Sequence, residues 1–516
     1  MGNLKIARGL RKENVLTSNR FYSRSQIEIH TASATYGPHQ SIDPSKNLMN
    51  WTYQKQLSSD NASNEIGTAT ITLTAGVTGL GATSTWMDLV HIQDLVMIYV
   101  SPYRNSQMRT RFIGVITDIS YQTDTNSDPE NPTRNIQIQA EDLIMGLQSQ
   151  ILFPVFAPTF INGTDTALQQ LFTHLQQIVS TYGTTVNQNG LPLLNVFGAL
   201  LQNSTSMSAF TALSPSRVAQ IVVNQLAPIL FTPTFYMRNR HHGGSTTWVQ
   251  LITQAYADTT QFAGANYYVT PQEETLQSML SSIMNPPFLE FFGDVRSADQ
   301  LGGIPSVSNN GAMFGPDNAQ YYLVVRNTPF DTSSGLQGTS STAFEELPIT
   351  DVYLKNTSAN QWYYTNSDVV NYYFVYPESF MQMSGFQATV QMLYQALVDV
   401  DSVTKYGLQP MQIAVLGFPD FNTLFTSTAA TTSIQQTLAQ FNQTLYDWYK
   451  DNPSYLRGTV TIHGDPSIRV GQRIRIRSIG LVAYVEAVQE NFVTYESYQA
   501  VVTFSRGVFE TGYPGP

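Results

Sequence analysis

The sequence predicts a β-dominated α+β fold with two similar antiparallel β domains of barrel or sandwich type, a helical insertion and a mixed α/β region. Three observations indicate this fold. Apolar and polar residues alternate with period two near both ends of the chain, helical spacing replaces this alternation after residue 160, and three strand-like stretches near the start reappear in order near the end. A length of 516 residues provides for several cores.

Strand patterns fill most of the first quarter of the chain. Residues 69–74 (ATITLT) alternate strictly between apolar and polar side chains, and residues 95–100 and 112–119 alternate less strictly. A loop rich in Asp, Asn and Pro at 123–132 precedes a further strand pattern at 135–140. These residue types favour turns for backbone reasons. The region therefore predicts an antiparallel sheet or barrel.

Helical spacing appears in the second quarter of the chain and again before the C-terminal β segment. Apolar residues recur at helical spacing over 168–179, and a second amphipathic stretch follows Pro215, a residue suited to the first turn of a helix. A last long helix is predicted over 433–450, shortly before Pro453. We expect the earlier pair of helices to pack on a core.

An internal repeat at long range is the most informative pattern. The stretches that resemble one another are 92–98 with 470–476, 112–116 with 484–488, and 135–140 with 499–504. Each match alone is weak, because any two antiparallel meanders resemble each other. Their common order favours two copies of one small β fold.

The patterns divide the chain into six parts. They predict an N-terminal arm at 1–20, a first β domain at 21–155, a helical insertion at 156–265, a mixed α/β domain at 266–365, a second β domain at 366–383 plus 456–510, and an insertion with the long helix at 384–455.

Composition excludes several classes of function. A formal net charge of -11 argues against a surface built to neutralise phosphate. The absence of cysteine excludes disulfides, thiolate metal sites, cysteine nucleophiles and iron-sulfur clusters. Because no apolar run reaches the length of a signal peptide or a membrane span, we expect a chain without a membrane anchor that is made in a cytoplasm.

No motif predicts a catalytic, cofactor-binding or metal-binding residue. The adjacent histidines His241 and His242 are the best local metal candidate, but a solvated loop is the favoured interpretation. The acidic stretch 124–130 lacks the Gly and final Glu of a calcium loop, which favours a hairpin loop. Paired acids for glycoside cleavage, which we assign to helix starts or solvated faces, are Glu273 with Glu274, Glu345 with Glu346, and Asp399 with Asp401.

A basic strand is a candidate interface. Alternation predicts Arg473, Arg475 and Arg477 on one face of a strand, with Ile474 and Ile476 on the opposite, core-facing side. Three interpretations of the basic face stay open: contact with an acidic partner subunit, the lining of a channel, or plain solvation.

An aromatic run is the second candidate interface. Trp362, Tyr363 and Tyr364 are consecutive, and no basic residues are interleaved with them as in a surface that stacks nucleic-acid bases. The run therefore predicts a buried sheet or a contact between subunits.

The chain resembles the baseplate hub proteins of phage tails and contractile injection systems. The matching residues, whose order is more informative than any one of them, are 448–452, 458–472 (GTVTIHGDPSIRVGQ), 484–488 and 503–507 near the C-terminus, and 51–53, 112–114, 141–143, 286–294, 323–330, 367–371 and 405–408 upstream. Residues 155–260 and 384–430 match no part of this family.

The resemblance implies a structural role and not an enzymatic one. Members of this family are homotrimers whose chains each supply two tail-tube-like β domains, so that three chains present six similar units. The implied partners are a tail tube or distal tail protein, the central spike and other baseplate proteins. Genomic DNA would pass through the channel without specific binding, no cofactor would be needed, and the chain would lie in the virion's tail baseplate after assembly in the host bacterium's cytoplasm.

Two other functions are carried as alternatives. A tail-associated cell-wall hydrolase would need two facing carboxylates in a cleft near 155–260. A receptor- or carbohydrate-binding tail protein would need exposed Trp and Tyr platforms. Neither alternative accounts for the repeated β segment.

Overall fold

The computed structural model describes the chain in separate stretches. These are residues 23–31, 33–57, 66–78, 80, 84–103, 106–124, 133–145, 249–253, 287–297, 315–327, 349–354, 360–377, 396–415 and 428–510. The helices predicted at 168–179 and after Pro215 lie outside these residues. Within the predicted helical insertion, the described residues form one strand, Val249–Thr253.

Strands dominate the described residues, which confirms the predicted β-dominated α+β class. The strands are β1 (Arg24–His30), β2 (Thr35–Tyr36), β3 (Leu48–Gln56), β4 (Thr68–Thr74), β5 (Leu95–Ser101), β6 (Arg109–Asp124), β7 (Thr133–Asp142), β8 (Val249–Thr253), β9 (Leu289–Arg296), β10 (Gln320–Asn327), β11 (Ile349–Val352), β12 (Gln361–Tyr363), β13 (Tyr372–Pro377), β14 (Leu397–Val398), β15 (Pro410–Val415), β16 (Leu456–His463), β17 (Arg473–Ile476), β18 (Leu481–Val493) and β19 (Ser497–Phe509). The helices are α1 (Trp86–Leu89), α2 (Val400–Tyr406) and α3 (Thr428–Tyr449).

The first β unit consists of β1 to β7. Its strands pair in the order β3-β4-β7-β6-β5-β1, with β2 added at the end. Alternation turns Trp51, Ile71 and Ile138 to one side of the sheet, where they are fully buried in a single core. The predicted antiparallel sheet in this part of the chain is therefore present.

The second β unit consists of β11, β12 and β16 to β19. Its strands pair in the order β12-β16-β19-β18-β17-β11. Val460, Ile474 and Val502 are buried in its core, which also receives Phe292 from β9 and Tyr322 from β10. The mixed region between the two units thus packs directly on the second one.

The two units share one strand order over six positions, and five of the six strands also agree in direction. In the first unit, β3, β4, β7, β6, β5 and β1 occupy the places that β12, β16, β19, β18, β17 and β11 occupy in the second. One difference stands out: β1 is antiparallel to β5, whereas β11 is parallel to β17. The repeat predicted from three strands therefore extends to six positions in the sheet.

A β-bulge at the same place fixes the alignment of the two units. The register of β6 against β7 shifts between Ile116 and Asp118, and the register of β18 against β19 shifts between Val485 and Ala487. Ile116 is therefore equivalent to Val485. The sequence match of 112–116 with 484–488 pairs the right strands but is displaced by three residues, because alternating strands match equally well after small shifts.

A fourth strand match escaped the sequence comparison. Ile71 of β4 lies opposite Ile138 of β7, and Val460 of β16 lies opposite Val502 of β19. Since Ile138 and Val502 are equivalent, β4 aligns with β16. The aligned sequences are ATITLT at 69–74 and GTVTIH at 458–463.

Two three-stranded sheets and a helix complete the described fold. One sheet has the order β8-β10-β9 and the other β14-β13-β15. Helix α3 begins five residues before the predicted helix 433–450, at Thr428, and ends one residue before its predicted end, at Tyr449. Its Phe441 lies 4.7 Å from Phe288 between ring centroids, and the side-chain oxygen of Asn442 accepts a hydrogen bond from the Val375 amide of β13.

Strand pairing divides the chain differently from the sequence patterns in two respects. Strand β13, expected in the second β domain as part of 366–383, pairs with β14 and β15 instead. Strands β11 and β12, expected in the mixed domain at 266–365, complete the second β unit. Short edge strands carry too little periodic pattern to be assigned to a sheet from sequence.

Candidate functional site

The two β units meet edge to edge. The second half of β18, from Ala487 to Val493, pairs antiparallel with β3, while β17 pairs with the first half of β18 on the same side. One hydrogen-bonded sheet therefore runs through both units. We name this contact the junction.

Aromatic packing supports the junction. Trp51 of β3 lies opposite Phe492 of β18, and their rings are stacked with centroids 5.7 Å apart and planes 10° apart. Tyr498 contacts the same Trp51 ring at 5.7 Å. Because these three side chains belong to the core of the first unit, the last two strands of the chain help to close that core.

A buried ion pair crosses between the units. Nε of Arg111 in β6 lies 2.8 Å from Oε2 of Glu490 in β18, and both side chains are almost fully buried. Burial disfavours the charged guanidinium, but the Glu490 carboxylate more than offsets burial, so the pKa of Arg111 lies above its usual value. The guanidinium also lies over the Tyr53 ring, 4.6 Å from its centroid.

A second buried ion pair fixes the edge of the first unit. Nζ of Lys55 lies 2.8 Å from Oδ2 of Asp142, which also accepts a hydrogen bond from the Gly67 amide. Burial alone would lower the pKa of Lys55, but the Asp142 charge raises it above its usual value. The hydroxyl of Tyr321, in β10, accepts a hydrogen bond from the Ile144 amide beside this pair.

A third buried charge cluster ties the mixed region to the second unit. Asp294 of β9 lies 2.7 Å from Nε of Arg296 and 2.6 Å from Nη1 of Arg469, which also donates to the Val295 carbonyl. Burial opposes the charge of Asp294, yet the two guanidinium groups hold the pKa of its carboxyl well below the usual range. Paired charges of this kind are costly to break singly.

One face of the joined sheet is polar and nearly uncharged. On β3, β4, β7 and the part of β18 that pairs with β3, the side chains opposite the core include no Lys or Arg, and Glu141 is the one charged residue among them. The polar residues are Asn50, Thr52, Gln54, Gln56, Thr68, Thr70, Thr72, Thr74, Asn135, Gln137, Gln139, Gln489 and Asn491. Cross-strand register, such as Gln54 opposite Gln489, makes the face continuous across the junction. We name it the polar face.

Among the strand edges that have no partner within the described residues, those of β6 and β12 bear on the junction. Strand β5 pairs with β6 only as far as Val115, so the edge of β6 from Asp118 to Asp124 is open on that side. Strand β12 pairs with β16 on one side only. Open edges are ready templates for pairing with another chain.

The basic strand predicted from sequence has acidic partners within the chain. Ile474 and Ile476 are buried in the second core, as alternation predicts. Arg475 lies 3.4 Å from Asp351 of β11 and 2.8 Å from Glu510, and Arg477 also contacts Asp351. Arg473 is 8% exposed. A contact of these arginines with a partner subunit stays a prediction.

The aromatic run predicted as an interface lies at the open edge of the second unit. Trp362 lies in β12 and packs against the second core, whereas Tyr363 and Tyr364 are 49% and 61% exposed. The structure does not bring this run together with the basic strand into one site.

The described residues hold no further chemical site that the sequence suggested. No group of three or more His, Asp or Glu side chains in them is arranged for a metal ion. Asp399 caps α2 by accepting a hydrogen bond from the Ser402 amide. This member of the Asp399 and Asp401 pair therefore has a structural role at a helix start. His241, His242, Glu273, Glu274, Glu345, Glu346 and most of the 124–130 loop lie outside the described residues. No described helix is both long and apolar enough to cross a membrane.

Comparisons with known proteins give structural matches alone. No protein-family model matches the chain, and no curated protein sequence matches it. The solved structures that match include the 43 kDa tail protein of prophage MuSo2 from Shewanella oneidensis. Its identity to this chain is 10% and the TM-score is 0.42, and the match covers 93% of this chain and 97% of that one. A tail protein from Neisseria meningitidis MC58 matches at 9% identity and a TM-score of 0.44, covering 95% and 98%.

A third match is a secretion-system protein. This E. coli component of the type VI secretion system, described as structurally similar to T4 bacteriophage tail proteins, matches at 8% identity and a TM-score of 0.37, covering 95% of this chain and 79% of that one. All three TM-scores lie below 0.5, and none of the identities exceeds 10%.

Proposed function

We propose that the chain is a structural hub subunit of a phage tail baseplate. In this proposal three copies form a ring that joins a six-fold tail tube to a three-fold central spike and leaves a channel for DNA. The role is mechanical and needs no catalytic residue or cofactor.

The observation that carries the proposal is the repeated unit. Two β units of one topology lie side by side in one sheet, joined by pairing of β3 with β18. Three such chains supply six units, so a three-fold ring can present a nearly six-fold face. A chain with one unit, or with two unlike units, has no such property.

The polar face suits the lining of a DNA channel. Non-specific binding of DNA depends on Lys and Arg side chains that neutralise phosphates. The polar face has Thr, Asn and Gln in their place across four strands. DNA that moves past such a surface would be solvated and would not be held.

The partners follow from the symmetry. The face with six similar units would bind the tail tube or a distal tail protein, and the opposite face would bind the central spike and other baseplate proteins. The protein would act in the virion tail after assembly in the bacterial cytoplasm.

The oligomeric state of the purified chain tests this proposal. Native mass spectrometry is expected to give a trimer, and electron microscopy a hollow ring with three-fold symmetry and six similar lobes. A monomer, or a ring of any other symmetry, contradicts the proposal. A parallel assay on a peptidoglycan suspension is expected to show no clearing, and clearing would favour the cell-wall hydrolase.

A further inference from the structure

The open edges of β6 and β12 correspond to the two edges that meet at the junction. The open part of β6 is equivalent to the part of β18 that pairs with β3, and β12 is equivalent to β3. Each chain therefore makes one contact of this type internally and leaves both halves of a second one open among the described residues.

We propose that β12 of one protomer pairs antiparallel with the open edge of β6 in its partner, and that Tyr121 lies opposite Trp362 of the partner subunit. This inference rests on the proposed function, because it assigns the contact that would close the ring. It adds a strand pair, a register and the side chains that meet.

The register on the β6 side comes from the shared bulge. Ile116 is equivalent to Val485, and both strands continue without a further shift beyond the bulge. Five residues further along each strand, Tyr121 is therefore equivalent to Glu490.

The register on the β12 side comes from the fourth strand match. Tyr53 of β3 lies opposite Ala69, and Trp362 of β12 lies opposite Gly458. Because Ala69 and Gly458 are equivalent, Tyr53 is equivalent to Trp362.

The junction then gives the pairing between subunits. Glu490 lies opposite Tyr53 in the junction. Because Tyr121 is equivalent to Glu490 and Trp362 is equivalent to Tyr53, the same pairing between protomers places Tyr121 opposite Trp362 of the partner subunit. The adjacent pairs are Ser120 with Tyr363 of the partner subunit and Gln122 with Gln361 of the partner subunit.

Side-chain chemistry agrees with this register. In β6, Tyr121 follows Ile119 on the core side of the sheet, whereas Ser120 and Gln122 continue the polar face. The inferred pairs therefore place aromatic beside aromatic on the apolar side and polar beside polar on the other side. A slip of one residue would reverse the faces of one strand.

Exposure favours burial of these aromatic side chains in a contact. Tyr121 is 43% exposed although it continues an apolar face, and Tyr363 and Tyr364 are 49% and 61% exposed. Cross-strand aromatic pairs stabilise antiparallel sheets. Pairing between protomers would cover Tyr121 with Trp362 of the partner subunit.

Disulfide cross-linking tests the register, because the natural chain contains no cysteine. The variant Ser120→Cys with Tyr363→Cys places the two thiols on directly opposite residues of neighbouring protomers, within the reach of a disulfide. Mild oxidation is expected to convert it into covalent dimers and trimers on a non-reducing denaturing gel. Within one chain the two strands lie far apart in the sheet order, so an internal disulfide is not expected.

The matched control uses the same strands and the same face. Asp118→Cys with Gln361→Cys is displaced by four residues from the inferred register, about 13 Å along the strand at the usual rise per residue. This variant is expected to stay monomeric on the same gel.

Native mass spectrometry distinguishes failure of the hub function from failure of the inferred strand pairing. A native trimer in which the matched pair fails to cross-link, or in which the control cross-links equally well, overturns the inferred pairing and leaves the hub function standing. A monomer in solution overturns both.

Discussion

Gln93 in the first β unit and Gly471 in the second have the same left-handed backbone conformation, with φ of 74° at both residues. The Gln93 amide donates to the carbonyl of Ile116, and the Gly471 amide donates to the carbonyl of Val485, so both residues meet the shared bulge in the same way. The turn before β5 and the turn before β17 are therefore one structure built twice.

Substitution of Gly471 should reveal the cost of this conformation. Gly471→Ala is expected to lower the free energy of unfolding by about 1–2 kcal/mol, because a Cβ is strained at positive φ. Urea unfolding followed by fluorescence measures the loss. Gly76→Ala is the control, since Gly76 has no positive φ and open space around the position of a Cβ. Equal losses in the two variants would contradict the interpretation.

The ion pair between Arg111 and Glu490 should be important for stability. Glu490→Gln is expected to cost about 3–5 kcal/mol, because it leaves the Arg111 charge buried without its partner. Asp351→Asn removes an exposed partner of two arginines and is expected to cost less than about 1 kcal/mol. Thermal unfolding compares the two variants, and a loss at Glu490 no larger than that at Asp351 would refute the prediction.

Acid should weaken the contact around Asp294. The pKa of Asp294 lies below its unfolded value, so the folded state binds fewer protons and the stability from its charge is fully present above pH of about 4. This contribution is lost as the pH falls from there towards the folded pKa. Urea midpoints measured from pH 6 to pH 3 should therefore fall more steeply for the natural protein than for Asp294→Asn, which starts from a lower stability. Parallel curves would argue against this assignment.

Charges added to the polar face should convert it into a DNA-binding surface. Gln54→Arg with Gln489→Arg adds two exposed cations at directly opposite positions of the junction, and therefore six in the proposed trimer. Duplex DNA is expected to bind this variant at low salt and to dissociate as salt rises. The matched control, Gln54→Glu with Gln489→Glu, should not bind DNA. If neither variant binds, the face is not accessible to DNA.

The sequence predicts the strands better than their partners. Strict alternation at 69–74 and the buried Ile474 and Ile476 follow directly from period two, and the structure has both. The order of three repeated strands was also sufficient to predict the repeat. The displacement by three residues in one match shows the limit, because alternating patterns do not fix register.

Long-range contacts were beyond the reach of sequence patterns. Arg111 and Glu490 are 379 residues apart, and no local period connects them. The junction between β3 and β18 depends on which edges remain after each unit has formed, which is a property of the sheet and not of either strand. The aromatic run at Trp362 was predicted to be a buried sheet or a contact between subunits, and its place on an open edge required the strand order.

Because the β unit is duplicated within one chain, the junction and the proposed contact between protomers can have different side chains. A ring of six identical subunits must use one edge chemistry for all its contacts. Here the internal contact forms once, during folding, and can therefore enclose a charged pair such as Arg111 with Glu490. In the proposed ring the outer edge would be exposed to water before assembly and covered after it, and tyrosine side chains are compatible with both environments.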